Sequence, residues 1–294
     1  MTRWAGFIGI VVTLAFALPN ARTAHADAER QKRARPWAGV PGPAKGPARA
    51  IGKYKAGCLS GGKALAHDGA GYLVIRPKRK RFFGHPALVS FIKRLGMKVN
   101  EAGLGELPIS DLGQARGGPT PSGHASHQIG LDVDIWFSQP SRSQRKRKLS
   151  HAERKRIYPV AVVSGKAKGP TKHWSPRVLR VLKMAAVDAR VARIFINPLI
   201  KVEACKKAKG DRTWLRKLRP WWGHAAHFHV RLHCPKGSPK CRPQGTVPEG
   251  DGCAGLSWWT NAKKQRDRKK GRAKYRVHVR KMPTLPKACK KVLR

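Results

Sequence analysis

Apolar and polar side chains alternate along two stretches of the chain. From Ile129 to Phe137, Leu131, Val133 and Ile135 interleave with Asp132, Asp134 and Trp136. That is the period of two that gives a strand one polar and one apolar face. Ala226 to Leu232 (AHFHVRL) alternates in the same way. Tyr72 to Ile75, Tyr158 to Val163 and Val191 to Ile196 are short apolar runs of strand length. Helical signals interrupt them. Pro86 to Leu95 (PALVSFIKRL) begins with proline at a first turn. After Ser175-Pro176, the residues Val178, Leu182, Ala185 and Ala186 fall on one face, with Ser175 as the expected cap. Arg212 to Leu218 is predicted to be a short helix. There is no internal repeat, and strands and helices follow in irregular order. This predicts an α+β fold, a small mixed or antiparallel sheet with flanking helices.

The ends differ from the middle. Arg3 precedes an apolar run from Phe7 to Leu18, and Ala24-His25-Ala26 gives a small-x-small pattern. Residues 1–26 are therefore expected to be a signal peptide. The run is shorter than the roughly 20 residues that a membrane span needs, so no transmembrane segment is expected and the mature chain should be exported to the periplasm. Residues 27–49 are rich in Pro, Gly, Ala, Lys and Arg and are expected to form a flexible basic leader. A domain over 50–260 follows, interrupted by a basic loop from Ser141 to Arg156. Beyond it, residues 261–294 form a basic extension.

Charge and cysteine content narrow the setting. The chain carries 63 Lys and Arg against 15 Asp and Glu, a net charge of +48. Such a surface binds polyanions. No nucleic-acid-binding motif is present, and an exported protein instead meets the free carboxylates of peptidoglycan and anionic wall polymers. All six cysteines lie after residue 26, which in an exported chain points to disulfides. No Cys-x-x-Cys pair exists to build a cysteine-based metal site.

The chemistry concentrates in two windows that hold six of the 12 histidines. One is Gly123 to Asp134 (GHASHQIGLDVD); the other is Trp222 to His233 (WGHAAHFHVRLH). His227 and His229 share one face of a predicted strand, and Asp132 and Asp134 share one face of another. If those strands are neighbours, two imidazoles and two carboxylates converge on one patch. Catalytic zinc takes three such ligands and leaves a fourth position open. The spacing alone does not choose between Asp132 and Asp134.

At these residues the sequence resembles the penicillin-insensitive murein endopeptidases, part of a zinc peptidase group that includes lysostaphin-type enzymes and D-Ala-D-Ala carboxypeptidases. The strings GHASHQIGLDVDIW and RPWWGHAAHFHVRLHCP carry the resemblance, which runs from about Ala50 to Cys253 and on towards Cys289. It implies a zinc peptidase domain over 50–260 with His127, Asp134 and His229 as ligands. It further implies His227 as the base and His224 as a second catalytic histidine that donates to the oxyanion. His124 matches a position that some members use for an additional metal. Asp132 becomes the candidate for orienting a ligand. The implied disulfides are Cys58–Cys289, Cys205–Cys253 and Cys234–Cys241, the first tying the basic extension back to the body. The implied substrate is the D-alanyl–diaminopimelyl cross-link of peptidoglycan. Two rivals fit the same residues: a D,D- or L,D-carboxypeptidase of this group, and a non-catalytic cationic wall-binding module. Trp221 and Trp222 fit either a substrate groove or plain packing.

Overall fold

The computed structural model describes residues 21–121, 125–139, 148–165, 169–261 and 283–294. Helix α1 (Ala21–Ala38) leads to the hairpin of β1 (Arg49–Lys53) and β2 (Ala56–Ser60), then β3 (Lys63–Ala64), β4 (Asp68–Gly69), β5 (Tyr72–Val74) and β6 (Phe83–Gly84). Next come α2 (Pro86–Glu101), β7 (Leu107–Asp111), β8 (Asp132–Trp136), α3 (His151–Lys155), β9 (Val163–Ser164) and β10 (Gly169–Pro170). The series ends with α4 (Pro176–Ala186), β11 (Val191–Ile196), α5 (Pro198–Lys207), β12 (Leu218–Pro220), β13 (His227–Leu232), α6 (Ser257–Thr260) and α7 (Ala288–Leu293).

Seven strands form one mixed sheet in the order β12-β11-β13-β8-β7-β5-β4. β13 and β8 run antiparallel at its centre, with His229 opposite Asp134 and Arg231 opposite Asp132. The period of two then decides what each face holds. Val133 and Ile135 of β8 join Phe228, Val230 and Leu232 of β13 in a core with Leu88, Phe91, Ile92 and Leu95 of α2 and Val178, Val181, Leu182 and Ala185 of α4. Burying each large apolar side chain stabilises the fold by about 1.5–3 kcal/mol. Truncating Phe228, which is 1 % exposed, would leave a void costing about 3–5 kcal/mol. The polar residues of the same two strands are left on the opposite face. α2 and α4 form where the apolar spacing predicts them, although Ser175 precedes α4 without a side-chain capping hydrogen bond. α2 starts at Pro86, with His85 Nδ1 accepting from Ala87 N at 3.1 Å, so a side chain satisfies a first-turn donor.

Three local expectations fail. Tyr158 to Val163 is not a strand; only Val163 enters a β-pair, with β10. Pro159 has no N–H to give a ladder, and Tyr158 is exposed, so the run is buried only through Val162 and Val163. Within the expected basic loop, Ser150 and Glu153 form a reciprocal capping box that starts α3. Residues 27–38 of the expected flexible leader are helical, and the reason is a seat for one side chain. Trp37 is buried against Gly118. Gly118 has φ +73, and a Cβ there would lie 2.1 Å from the Trp37 ring, so only glycine admits the contact.

All three disulfides form the implied pairs: Cys58–Cys289, Cys205–Cys253 and Cys234–Cys241. The first holds α7 beside β2. There Cys289 and Val292 pack with Trp37 and Ile51, and Arg116 donates to the carbonyls of Val292 and Leu293 at 3.0 and 2.8 Å. With a sequence separation of 231, the bond removes loop entropy from the unfolded chain worth about 5 kcal/mol in the chain-entropy treatment. No helix among the described residues is long and apolar enough to cross a membrane. The expected signal peptide falls largely on residues 1–20, outside the described ones.

Candidate metal centre

His127 arrives from the turn before β8 rather than from a strand. Its φ is +69, a conformation that few side chains adopt. The turn is held from both sides. Asp132 Oδ2 accepts from His127 N at 3.0 Å. Gln128 donates through N to Tyr54 O at 3.2 Å and through Nε2 to Lys55 O at 2.9 Å, and its Oε1 accepts from Gly57 N at 3.2 Å. Gly130, φ +69, completes the turn where a Cβ would sit 2.5 Å from Leu59 Cδ2 and 2.9 Å from His85 N. Substitution there would strain backbone that aims His127.

His127, Asp134 and His229 meet on the polar face of the sheet, each offering one ligand atom within 4.8 Å of the others. His127 Nε2 lies 3.4 Å from Asp134 Oδ2, and His229 Nδ1 lies 3.0 Å from Asp134 Oδ1. Asp132 is fully buried beneath them. Its Oδ1 meets His229 Nε2 at 2.9 Å and accepts from Arg231 Nε at 2.7 Å. A carboxylate only accepts, so Asp132 holds a proton on His229 Nε2. Nδ1, protonated towards Asp134 as long as the ring is charged, is the atom left to bind a cation once that proton leaves. That answers which aspartate does what: Asp134 faces the cluster, while Asp132 orients the ring. Two imidazoles and one carboxylate suit zinc, whose catalytic sites use three nitrogen or oxygen ligands.

The electrostatics follow from burial and pairing. Burial alone would raise the carboxyl of Asp132, but Arg231 and His229 hold it below the ordinary carboxylate range. Burial likewise opposes ionisation of Asp134, and His127 and His229 reverse it. For His229, burial is outweighed by the two aspartates, which push it up to about 9. A positive charge is therefore favoured where the three side chains meet.

Two further histidines stand beside them. His227 Nε2 is 4.0 Å from Asp134 Oδ1, and burial lowers its pKa. The His224 ring lies 4.7 Å from that of His227, with φ +52. Burial first, then His227 and His229, push it down to about 4. His224 Nδ1 lies 3.0 Å from Trp222 O. A carbonyl can only accept, so the neutral ring carries its proton on Nδ1 and presents Nε2 as an acceptor. His124 lies outside the described residues.

These groups line a cleft of about 770 Å³. Arg231 stands within it, 4.2 Å over the Tyr54 ring and 5.0 Å over that of Phe195. Lys53, Tyr54, Lys55, Arg242, Phe195 and Trp221 also line it. Trp221 is 52 % exposed and faces the cleft, whereas Trp222 packs on Trp259 at 5.3 Å. Sequence reasoning passed over Arg231 and the hairpin residues. Arg231 was findable: it sits two after His229 and so on the same strand face. Nothing in the sequence brings Tyr54 to this place.

The fold and this cleft define a hydrolase-type centre with a His–Asp–His set able to hold a metal ion. The chain belongs to the penicillin-insensitive murein endopeptidases, whose family model matches residues 50–294. It is similar to proteins named penicillin-insensitive murein endopeptidase from Klebsiella pneumoniae (strain 342), 44% identical over 227 residues. Those from Yersinia enterocolitica serotype O:8 / biotype 1B and Escherichia coli O6:K15:H31 are 45% and 44% identical, each over 229 residues. Each match covers 77% of this chain and 81% of the relative. It is thus a peptidoglycan hydrolase of a metallopeptidase family.

Proposed function

We propose that this enzyme is a zinc-dependent endopeptidase of the periplasm, exported by a signal over residues 1–26, that hydrolyses D-alanyl–meso-diaminopimelyl cross-links. The observation that carries the reading is the meeting of His127, Asp134 and His229 within 4.8 Å at an open cleft. A zinc ion held by these three would supply Lewis acidity and a water of lowered pKa. The chain's own groups do the rest. Asp132 holds the His229 ring so that Nδ1 stays a ligand atom. His227 Nε2 takes a proton from the attacking water and returns it to the leaving amine nitrogen. His224 Nε2 is the second acceptor within reach of that proton. The oxyanion-donor role expected of His224 applies only while it holds the proton, because its Nδ1 is committed to Trp222 O.

The test is digestion of purified cross-linked muropeptide dimers with and without a zinc chelator, read by mass spectrometry alongside the metal content of the protein. Chelator-sensitive conversion to intact monomers, with one zinc per chain, is the expected result. Full activity in metal-stripped protein, or release of single amino acids in place of monomers, would overturn it.

A further inference from the structure

Three cations on the hairpin side of the cleft have no part in the chemistry above. Lys53, Lys55 and Arg242 line it, all three are exposed, and none has a carboxylate partner among the described residues. In a chain of net charge +48 an exposed lysine signifies nothing by itself. Placement is what distinguishes these three.

Their backbone is fixed relative to the His–Asp–His set. Lys53 and Lys55 flank Tyr54, which is buried and donates its hydroxyl to Leu232 O at 2.7 Å. The carbonyls of Tyr54 and Lys55 are bound by Gln128, the residue after His127. Arg242 directly follows the loop closed by Cys234–Cys241. That loop is stitched to the hairpin by Gly52 N to Lys240 O and Arg242 N to Gly52 O, both 2.9 Å. Rigid placement of this kind lets a binding group act at a set distance from a reacting bond. The cleft is also lopsided. Among the described residues Asp134 is the single carboxylate lining it, and it is occupied with the histidines. Its lining also includes the aromatic rings of Phe195 and Trp221, which lie 5.9 Å apart in an edge-on contact.

We infer that Lys53, Lys55 and Arg242 form a carboxylate subsite, which takes a free carboxylate of a stem peptide on one side of the scissile bond and thereby fixes which way round the cross-link lies. The inference rests on the cleft being where cross-links are cut. Charge-assisted hydrogen bonds from lysine and arginine supply the attraction, and apolar parts of the other stem lie against Phe195 and Trp221.

The experiment compares two muropeptide dimers that differ only in whether the diaminopimelyl carboxylate is free or amidated. Wild-type enzyme should cleave the acid form with kcat/KM about 10-fold higher, one charge-assisted contact's worth. Lys53→Met/Lys55→Met/Arg242→Met should bring that ratio to about 1. Lys93→Met/Lys98→Met, which removes two exposed cations from α2 on the far side of the sheet, should keep it. A wild-type ratio near 1, a triple variant that keeps the preference, or a control that loses it would each overturn the subsite. The wild-type ratio needs no variant to fold. If neither dimer is cleaved, the catalytic reading fails separately. Calorimetric affinity of the metal-free protein for the two dimers then still decides the subsite, with equal affinities overturning it.

Discussion

Charge is buried both at the centre of the sheet and behind α5, and the two places use it to different ends. Lys201 of α5 is fully buried. Its Nζ donates to Leu215 O at 2.7 Å and Asp251 O at 2.8 Å, while the Asp251 carboxylate accepts from Arg212 at 2.8 Å. The Lys201 ammonium points inward, and its bonds join α5 to the segment closed by the Cys205–Cys253 bond. At the sheet centre, Asp132 is used up in the same inward way by His127 N, His229 and Arg231. His127, Asp134 and His229 Nδ1 are turned to the cleft instead. Burial of a titratable group is thus common to a structural knot and a chemical site. Orientation towards space that a ligand can enter separates them.

The sharpest break between the two regions comes from His229→Ala. It should remove the bound metal and turnover together, read by metal analysis and dimer cleavage, since a catalytic zinc needs its third protein ligand. His227→Ala should keep the metal and lower kcat by about 10²–10⁴-fold, the usual worth of a general base. A well-folded His227→Ala enzyme at wild-type rate would place the base elsewhere. Asp132→Asn tests the inward half of the site. Metal affinity should drop about 10–100-fold in a chelator competition, and stability should fall because Arg231 is left as an unmatched buried charge. The smallest effect on chemistry belongs to Lys201→Met, whose kcat/KM should stay within about two-fold of wild type, as expected of a site distant from the reaction. Its signature is in stability against pH. Burial lowers the Lys201 pKa to about 8 from 10.5, so between those values the unfolded chain holds a proton that the folded one has released. Wild-type stability should therefore rise across that window, and denaturant melts of Lys201→Met should lack the rise.

The sheet centre was legible because alternation carries both its faces at once. Val133 and Ile135 against Asp132 and Asp134, and Phe228 and Val230 against His227 and His229, predict the strands. They also predict the convergence, given only that the strands are neighbours, which the register of β8 and β13 bears out. The choice between Asp132 and Asp134 was not legible from spacing, because both point the same way. What separates them is which ring nitrogen each faces. The Lys201 knot was invisible, since α5 was not anticipated and carbonyl partners leave no trace in side-chain identity. The failures at Tyr158 to Val163 and in residues 27–38 have different causes. At the first, Pro159 denies the ladder a donor; at the second, local composition is overruled by a distant contact, the seat of Trp37 on Gly118.

The bond between Cys58 and Cys289 has a topological consequence. It turns most of the molecule into a covalent ring, with Cys205–Cys253 and Cys234–Cys241 as smaller rings inside it. A protease that nicks the backbone once anywhere between residues 58 and 289 opens the ring without releasing a fragment. The halves remain joined, and β8 and β13 stay in register for as long as the sheet holds. Two cuts, or one cut and a reductant, are needed to separate them, so a singly clipped molecule should run as one piece on a non-reducing gel and as two on a reducing one.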